Sequence, residues 1–81
     1  MEKFLASMSS PIDMSLVDTQ NRQMEILKSV GITNYLRVLT DYIYGNEIAD
    51  SFIKHYWQIE CDEEQMIMLT LLGAKVVPII I

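Results

Sequence analysis

The spacing of apolar residues predicts helices along most of the chain. The clearest segment is residues 46–59, where the apolar side chains fall on one half of a helix that turns by about 100° per residue. Glu47 and Asp50 fall on the polar half, near the positive end of the helix dipole. Gly45 breaks the chain before this segment, and Asn46 is suited to cap its first turn. An apolar face of this width indicates a helix that packs on two sides.

Three more helices are predicted, over residues 18–30, 34–44 and 63–72. Gly31 is placed to end the first of them in a left-handed conformation, and Thr33 is placed to cap the second. The connections between these helices are very short, so consecutive helices must fold back on one another. This pattern predicts an all-α fold, a compact bundle of four or five short helices.

An acidic run at residues 60–65 precedes the last predicted helix. Asp62 is placed at the N-cap with Gln65 three residues later, as in a capping box, and Glu63 and Glu64 occupy the first turn. This arrangement explains the run without a ligand, although an acidic docking or cation site is the alternative. The helix that follows is apolar on all sides, which is typical of a buried helix.

The two ends of the chain lie outside the helical pattern. Residues 1–10 are interpreted as a frayed first helix or as an arm that docks elsewhere. Residues 74–81 are rich in β-branched side chains and predict a short extended segment that pairs with a partner or a symmetry mate, with Pro78 restricting it to an edge. The apolar stretch from residue 66 is shorter than the ~20 residues that span a bilayer, which disfavours a membrane anchor. Nothing divides the chain, so a single domain over residues 1–81 is predicted.

The composition indicates self-association. The chain has 81 residues, of which 51% are hydrophobic, and its mean hydropathy is +0.21. A chain this short has little interior in which to bury so many apolar side chains. One cysteine cannot form an internal disulfide that would supply further stability. A core shared between subunits, in a homo-oligomer, is therefore expected.

The charge distribution disfavours nucleic acid as a partner. The net charge is −5, and the six basic residues are scattered instead of forming a patch that would neutralise phosphates. An alternative function remains open: helices over residues 18–30 and 34–44 would form a helix-turn-helix nucleic-acid-binding regulator, with Asn34, Arg37 and Thr40 facing a major groove.

No constellation of residues predicts catalysis. His55 and Cys61 are single representatives of their types and do not share a helical face. The carboxylates of residues 62–64 have no basic or nucleophilic partner, and no phosphate-binding or hydrolase motif occurs. We therefore expect no enzyme activity, catalytic residue, metal or cofactor. The lone cysteine and the lack of a signal peptide favour a cytoplasmic location.

Aromatic residues at the margins of the predicted helices suggest a protein contact. Tyr44 lies on the polar face of its helix and Trp57 at the edge of an apolar arc, where interface hot spots tend to occur. The function predicted is a small acidic interaction module that self-associates and acts as adaptor, assembly subunit or inhibitor by masking a partner's surface. The predicted partner-binding residues are Tyr44, Trp57, Val76, Val77, Ile79, Ile80 and Ile81.

Overall fold

The chain folds into a four-stranded sheet with two α-helices. The computed structural model describes residues 2–79. A 3₁₀ turn, Ile48–Asp50, precedes the third strand. The elements in chain order are β1 (Glu2–Pro11), α1 (Leu16–Ser29), β2 (Tyr35–Ile43), β3 (Phe52–Cys61), α2 (Glu63–Leu71) and β4 (Lys75–Pro78).

The strands lie in the order β2-β3-β1-β4, and every neighbouring pair is antiparallel. The central strands β1 and β3 pair along their full ten residues. Both helices pack on the same face of the sheet, where the core lies. The order of elements, β-α-β-β-α-β, is the ferredoxin-like arrangement. The fold is therefore mixed α/β with an antiparallel sheet, and the predicted all-α bundle is wrong.

The predicted helix over residues 46–59 is instead the 3₁₀ turn followed by β3. Ile53, Trp57 and Ile59 are buried at 2%, 2% and 0% exposure, and the residues between them are alternately half-buried and buried. This strict alternation is the two-residue period of a strand. Buried His55 and outward-facing Tyr56 disguise the period, because a polar residue points inward and an aromatic one outward. The same apolar positions also fit one half of a helix, which is why the helical interpretation was wrong.

Two further segments are strands where other structures are predicted. Residues 34–44, the predicted second helix, contain β2, so the chain lacks the second helix of a helix-turn-helix and that alternative is withdrawn. Residues 1–10, the predicted arm, contribute the central strand β1, whose Phe4, Ala6 and Met8 are buried. β-branched and aromatic residues dominate β2, and packing against a neighbouring strand favours them there.

β2 contains a bulge at Val38. Arg37 pairs with Trp57 and Leu39 pairs with Tyr56, so Val38 is an extra residue that has no counterpart on β3. A bulge of this kind interrupts the regular alternation of side chains between the two faces of a strand. Residues on either side of Val38 therefore share faces that an unbroken strand would separate.

The two other predicted helices are confirmed, but the prediction that the second of them is buried on all sides is wrong, because Leu69 is 0% exposed whereas Leu71 is 81% exposed. α1 corresponds to the helix predicted over residues 18–30, and Gly31 has a positive φ of 85° directly after it. α2 corresponds to residues 63–72, and the capping box between Asp62 and Gln65 is present. The extended C-terminal segment is strand β4 at the sheet edge, but its partner is β1 of the same chain and not another molecule.

The core lies between the helices and the inward residues of the sheet. It joins Leu27 of α1 and Leu69 of α2, both 0% exposed, to inward side chains of β1 and β3. Burial of these side chains supplies the main driving force for folding. No helix within the described residues is long and apolar enough to cross a membrane.

The capping box offers a test of how α2 is held. Replacing Asp62 with Ala removes the acceptor for the Gln65 backbone N–H, so the free energy of unfolding is expected to fall by about 1 kcal/mol. Asp62→Asn is the matched control, because an asparagine oxygen can accept the same bond. Urea unfolding followed by circular dichroism measures both variants, and equal loss in the two would contradict a capping role.

Candidate protein-binding surface

The face of the sheet opposite the helices carries many apolar side chains. Because directly paired residues of antiparallel strands share a face, the strand registers define this open face. Leu36, Leu39 and Val77 are the most exposed of its apolar residues, at 63%, 56% and 40%. The others are half-buried against their neighbours. The apolar residues of the open face are Leu5, Leu36, Leu39, Ile43, Phe52, Tyr56 and Val77.

The bulge in β2 puts two of these leucines on the same face. Leu36 pairs with Gln58 and Leu39 with Tyr56, and both partners point away from the helices. Residues three apart on an unbroken strand point to opposite faces. The extra residue Val38 therefore places both leucines on the open face, and the surface depends on the bulge.

The open face differs in charge from the rest of the protein. It carries Lys3, Lys54 and Lys75 against Asp41 and Glu60, a net charge of +1. Because the whole chain carries −5, the other residues together carry −6. The open face is thus a region of mixed sign on a molecule that is otherwise acidic.

Four of these five charges stand opposite one another on adjacent strands. Lys3 pairs with Glu60 across β1 and β3, and Asp41 pairs with Lys54 across β2 and β3. Opposite charges placed in this way stabilise a pair of strands modestly. Most charges on the open face therefore have an opposite charge beside them, which lowers the free-energy cost of burying this face in an interface.

A shallow cavity of about 190 Å³ lies on the open face over β1. Lys54 leans across it, with its Nζ 5.3 Å from the centre of the Tyr56 ring, within the range of a cation–π contact. The cavity is small for a drug-sized ligand, which needs about 300 Å³ or more. Its lining consists of Leu5, Ser7, Lys54, Tyr56, Lys75 and Val77.

A chain of hydrogen bonds lies on the helix side of the same sheet. His55 is fully buried, with Nε2 2.9 Å from Thr19 Oγ1 and Nδ1 2.8 Å from Thr40 Oγ1. The Thr19 hydroxyl donates to the Leu16 carbonyl, and Arg37 Nη1 donates to Thr40 Oγ1. One imidazole thus connects α1 to β2 through the central strand β3.

These partners determine where the imidazole carries its proton. Because the Thr19 hydroxyl hydrogen bonds to Leu16, the Thr19 oxygen accepts from N–H at His55 Nε2. Nδ1 then accepts from the Thr40 hydroxyl, whose oxygen accepts from Arg37. Burial, and then the positive charge of Arg37, lower the pKa of His55 below its ordinary value of 6.5. The neutral form is the one that this site accommodates.

Gln23 makes a second polar connection between α1 and the sheet. Its Oε1 accepts a 2.7 Å hydrogen bond from Trp57 Nε1, and its Nε2 donates to the Met8 carbonyl at 3.2 Å and to Ser10 Oγ at 3.1 Å. Gln23 is 1% exposed. Among the described residues, no buried side-chain nitrogen or oxygen lacks a partner. The polar contacts beneath α1 are therefore complete, as a buried polar layer requires.

The predicted contact residues occupy different environments. Trp57 is 2% exposed and hydrogen bonded beneath α1, so it belongs to the core and not to a protein-binding surface. Val77 lies on the open face, and Tyr44, 76% exposed, directly follows β2. The remaining predicted residues are half-buried, in the case of Val76 and Ile79, or lie outside the described range, in the case of Ile80 and Ile81.

The helical prediction missed most of the open face. It places Leu36 and Leu39 inside a bundle, whereas in the sheet they are on the uncovered face. The signal that would have found them is the run of β-branched and aromatic residues in β2 and β3, combined with strand periodicity. The bulge weakens that signal in β2, because it interrupts the alternation.

Cys61 borders a cavity of about 570 Å³ at the end of the sheet beside α2. Burial, and then the negative charges of Asp62 and Glu2, raise the pKa of the Cys61 thiol. A thiol held in its protonated form is a poor nucleophile and a poor metal ligand. Within residues 2–79, no three His, Cys, Asp or Glu side chains are placed to hold a metal ion.

Comparison with known proteins adds no assignment. No protein-family model matches the chain, and no curated protein is significantly similar to it in sequence. The ferredoxin-like arrangement carries many unrelated functions, so it does not select one.

The polar layer beneath α1 generates a stability prediction. Gln23→Leu leaves Trp57 Nε1 buried without an acceptor, and the free energy of unfolding is expected to fall by about 1 to 3 kcal/mol. Asn21→Leu, at an exposed position of α1, is the matched control for the change in side chain. Urea unfolding followed by Trp57 fluorescence measures both, and an unchanged midpoint for Gln23→Leu would contradict the role of the amide.

Proposed function

We propose that this chain is a self-associating protein-interaction module that binds a second copy through the open face of its sheet. The observation that carries the proposal is a set of apolar side chains left uncovered on the one face that is not acidic. An uncovered apolar patch on a small protein commonly marks an interaction site. Covering it with the same face of another copy would give the shared core that the composition calls for.

The dimensions of the open face suit a dimer. Strands of nine or ten residues are about 30 Å long, and four strands side by side are about 15 to 20 Å across. The accessible area of a pleated face exceeds this projection and is of the order of the ~800 Å² that each partner buries in a standard interface. Two sheets packed face to face at about 10 Å would interdigitate these side chains.

Charge favours the open face over the other apolar surface of the protein. α2 exposes Leu71 and Leu72 at 81% and 56%, but Glu63 and Glu64 begin the same helix. Two copies that met through α2 would each bring these carboxylates to an interface between two acidic proteins. On the open face, opposite charges alternate, and two copies can approach without this repulsion.

A dimer formed through the open face is consistent with the proposed roles of assembly subunit and adaptor. The open face would join the two copies, while the apolar side of α2 would stay available to a different protein with a basic surface. Tyr44, which is 76% exposed and directly follows β2, would contribute at the rim of the interface. The free, buried Cys61 is compatible with the cytoplasm, which we retain as the proposed compartment.

A charged residue within the apolar patch tests the proposal. Leu39→Lys is expected to convert a dimer to a monomer, because it would bury an unpaired charge in the interface. Leu71→Lys introduces the same charge on α2, and the dimer is expected to persist. Light scattering coupled to size exclusion measures the molar mass of both variants and of the unaltered chain.

Two outcomes would overturn the assignment. A monomer at every concentration up to the millimolar range would remove self-association altogether. A dimer that survives Leu39→Lys but dissociates with Leu71→Lys would move the interface to α2. Circular dichroism of each variant confirms that the fold is retained.

The cross-strand charges provide an independent prediction. Asp41→Lys places two lysines opposite each other on the open face, and Lys54→Glu places two carboxylates there, so each is expected to weaken the dimer at least about tenfold. The double variant with both changes restores the opposite pair and is expected to recover most of the affinity. Sedimentation equilibrium measures the dissociation constants. A double variant whose loss of affinity equals the sum of the two single losses would contradict burial of the Asp41–Lys54 pair in the interface.

A further inference from the structure

The bulge in β2 is held by a hydrogen bond between residues on its two sides. Arg37 and Thr40 pair with Trp57 and His55, which both point toward the helices. Residues three apart on an unbroken strand face opposite ways, so the guanidinium reaches the Thr40 hydroxyl only because Val38 is inserted between them. The same insertion places Leu36 and Leu39 on the open face. The Arg37–Thr40 bond and the apolar surface thus depend on one backbone feature.

His55 connects the Arg37–Thr40 hydrogen bond to the interior of the protein. Thr40 donates its hydroxyl hydrogen to His55 Nδ1, and the other ring nitrogen donates to Thr19 of α1. The hydrogen bonds run in one direction, from Arg37 at the surface to the Leu16 carbonyl in α1. Each hydroxyl in the chain donates once and accepts once.

A proton added to His55 would disrupt this order of donors and acceptors. Nδ1 is the acceptor in the neutral ring, and in the imidazolium it becomes a donor. Thr40 Oγ1 would then face two cationic donors, the imidazolium and Arg37, and its own hydrogen would lose its acceptor. Arg37 is exposed and free to turn toward solvent, so the Arg37–Thr40 bond is the contact that gives way.

Within residues 2–79, no charged group on the elements around His55 would stabilise the imidazolium. Arg37 is the one charged group that faces the ring within the described residues, and it repels an imidazolium. Asp41 of β2 lies on the open face, and Asp18 and Arg22 of α1 are exposed to solvent. The other groups around the ring are uncharged, namely Met8 of β1, Thr19 and Gln23 of α1, Thr40 of β2 and Trp57, whose ring centre lies 6.4 Å away.

We propose that the hydrogen-bonded chain from Arg37 through Thr40 and His55 to Thr19 is an acid-sensitive lock on the β2 bulge. Proton uptake by His55 releases Thr40 and Arg37, and the bulge loses the contact that holds its register. A shift of one residue would turn Leu39, Asp41 and Ile43 to the other face. The consequence for self-association rests on the proposed function of the open face, whereas the lock itself does not.

The direction of the pH dependence follows from the two states. The unfolded or loosened chain titrates His55 near 6.5, while the folded chain holds the ring neutral to lower pH. As the pH falls, the loosened state takes up the proton first and is stabilised relative to the locked state. The lock is therefore intact above about pH 6.5 and is lost as the pH falls below that value toward the pKa of the folded state.

Hydrogen exchange tests the lock without relying on dimer formation. Protection factors of β2 amides, measured on the Leu39→Lys variant, are expected to fall between about pH 7.5 and about pH 5 by up to about tenfold for each unit by which the pKa of His55 is depressed. β1 amides, which exchange through global unfolding, are the internal reference, and β2 amides are expected to be less protected than β1 amides because opening of the lock leaves β1 folded. In the His55→Gln variant, whose amide does not titrate, the fall in β2 protection is expected to disappear. Equal protection of β1 and β2, or a fall in β2 protection that persists with glutamine, would overturn the lock.

Arg37→Gln provides a second variant that leaves the buried residues in place. Removing the guanidinium is expected to raise the pKa of His55, followed by NMR of the imidazole, and to reduce the fall in β2 protection below about pH 6.5, because a smaller depression of the pKa leaves less protection to lose. An unchanged titration would overturn the coupling between Arg37 and the ring. This measurement decides the matter if His55→Gln does not fold.

The molar mass of the unaltered chain connects the lock to self-association. A dimer at about pH 7.5 that dissociates at about pH 5, while the His55→Gln dimer persists at both, is the expected result. A monomer at both pH values would contradict the proposed function but leave the hydrogen-exchange result to decide the lock. A dimer of equal strength at both pH values, with β2 protection lost, would show that the bulge does not control the interface.

Discussion

The requirement that every buried polar atom have a partner organises this small protein. His55 and Gln23 lie in a layer where apolar side chains would be expected, and each uses its hydrogen-bonding atoms to join α1 to the sheet. Leaving one such atom without a partner costs more than the bond itself contributes to stability. The position of α1 over β3 is therefore determined by specific atoms, and hydrophobic burial by Leu27 and Leu69 acts around them.

The polar layer also affects the other side of the sheet, through the bulge. Thr40 takes part in the buried hydrogen bonds on the helix side, while Leu39, its neighbour in the chain, lies on the open face. A strand transmits this kind of constraint because its side chains alternate, so a fixed residue on one face fixes its neighbours on the other. The buried side of β2 thus sets which apolar residues the protein offers at its surface.

The two surfaces of the molecule suit different roles. The helix side and the loops carry nine of the eleven acidic residues, which supports solubility and discourages random association. The open face carries apolar residues among charges of both signs. An edge strand such as β2 invites pairing with other strands, and a bulge is one feature by which edge strands avoid it. Packing by the sheet face instead of the strand edge is consistent with that arrangement.

Local features of this chain were determined by the sequence alone, and the partnerships between segments were decided by the tertiary structure. Asp62 and Gly31 act on their own neighbours, so the start of α2 and the end of α1 follow from residue type and spacing. The nature of β1, β2 and β3 does not, because short apolar segments fit a helix and a strand about equally well until another strand lies beside them. His55, Trp57 and the bulge at Val38 have their roles only in the assembled sheet. Their surroundings come from residues distant in sequence, such as Thr19 and Gln23, and no local pattern encodes these contacts.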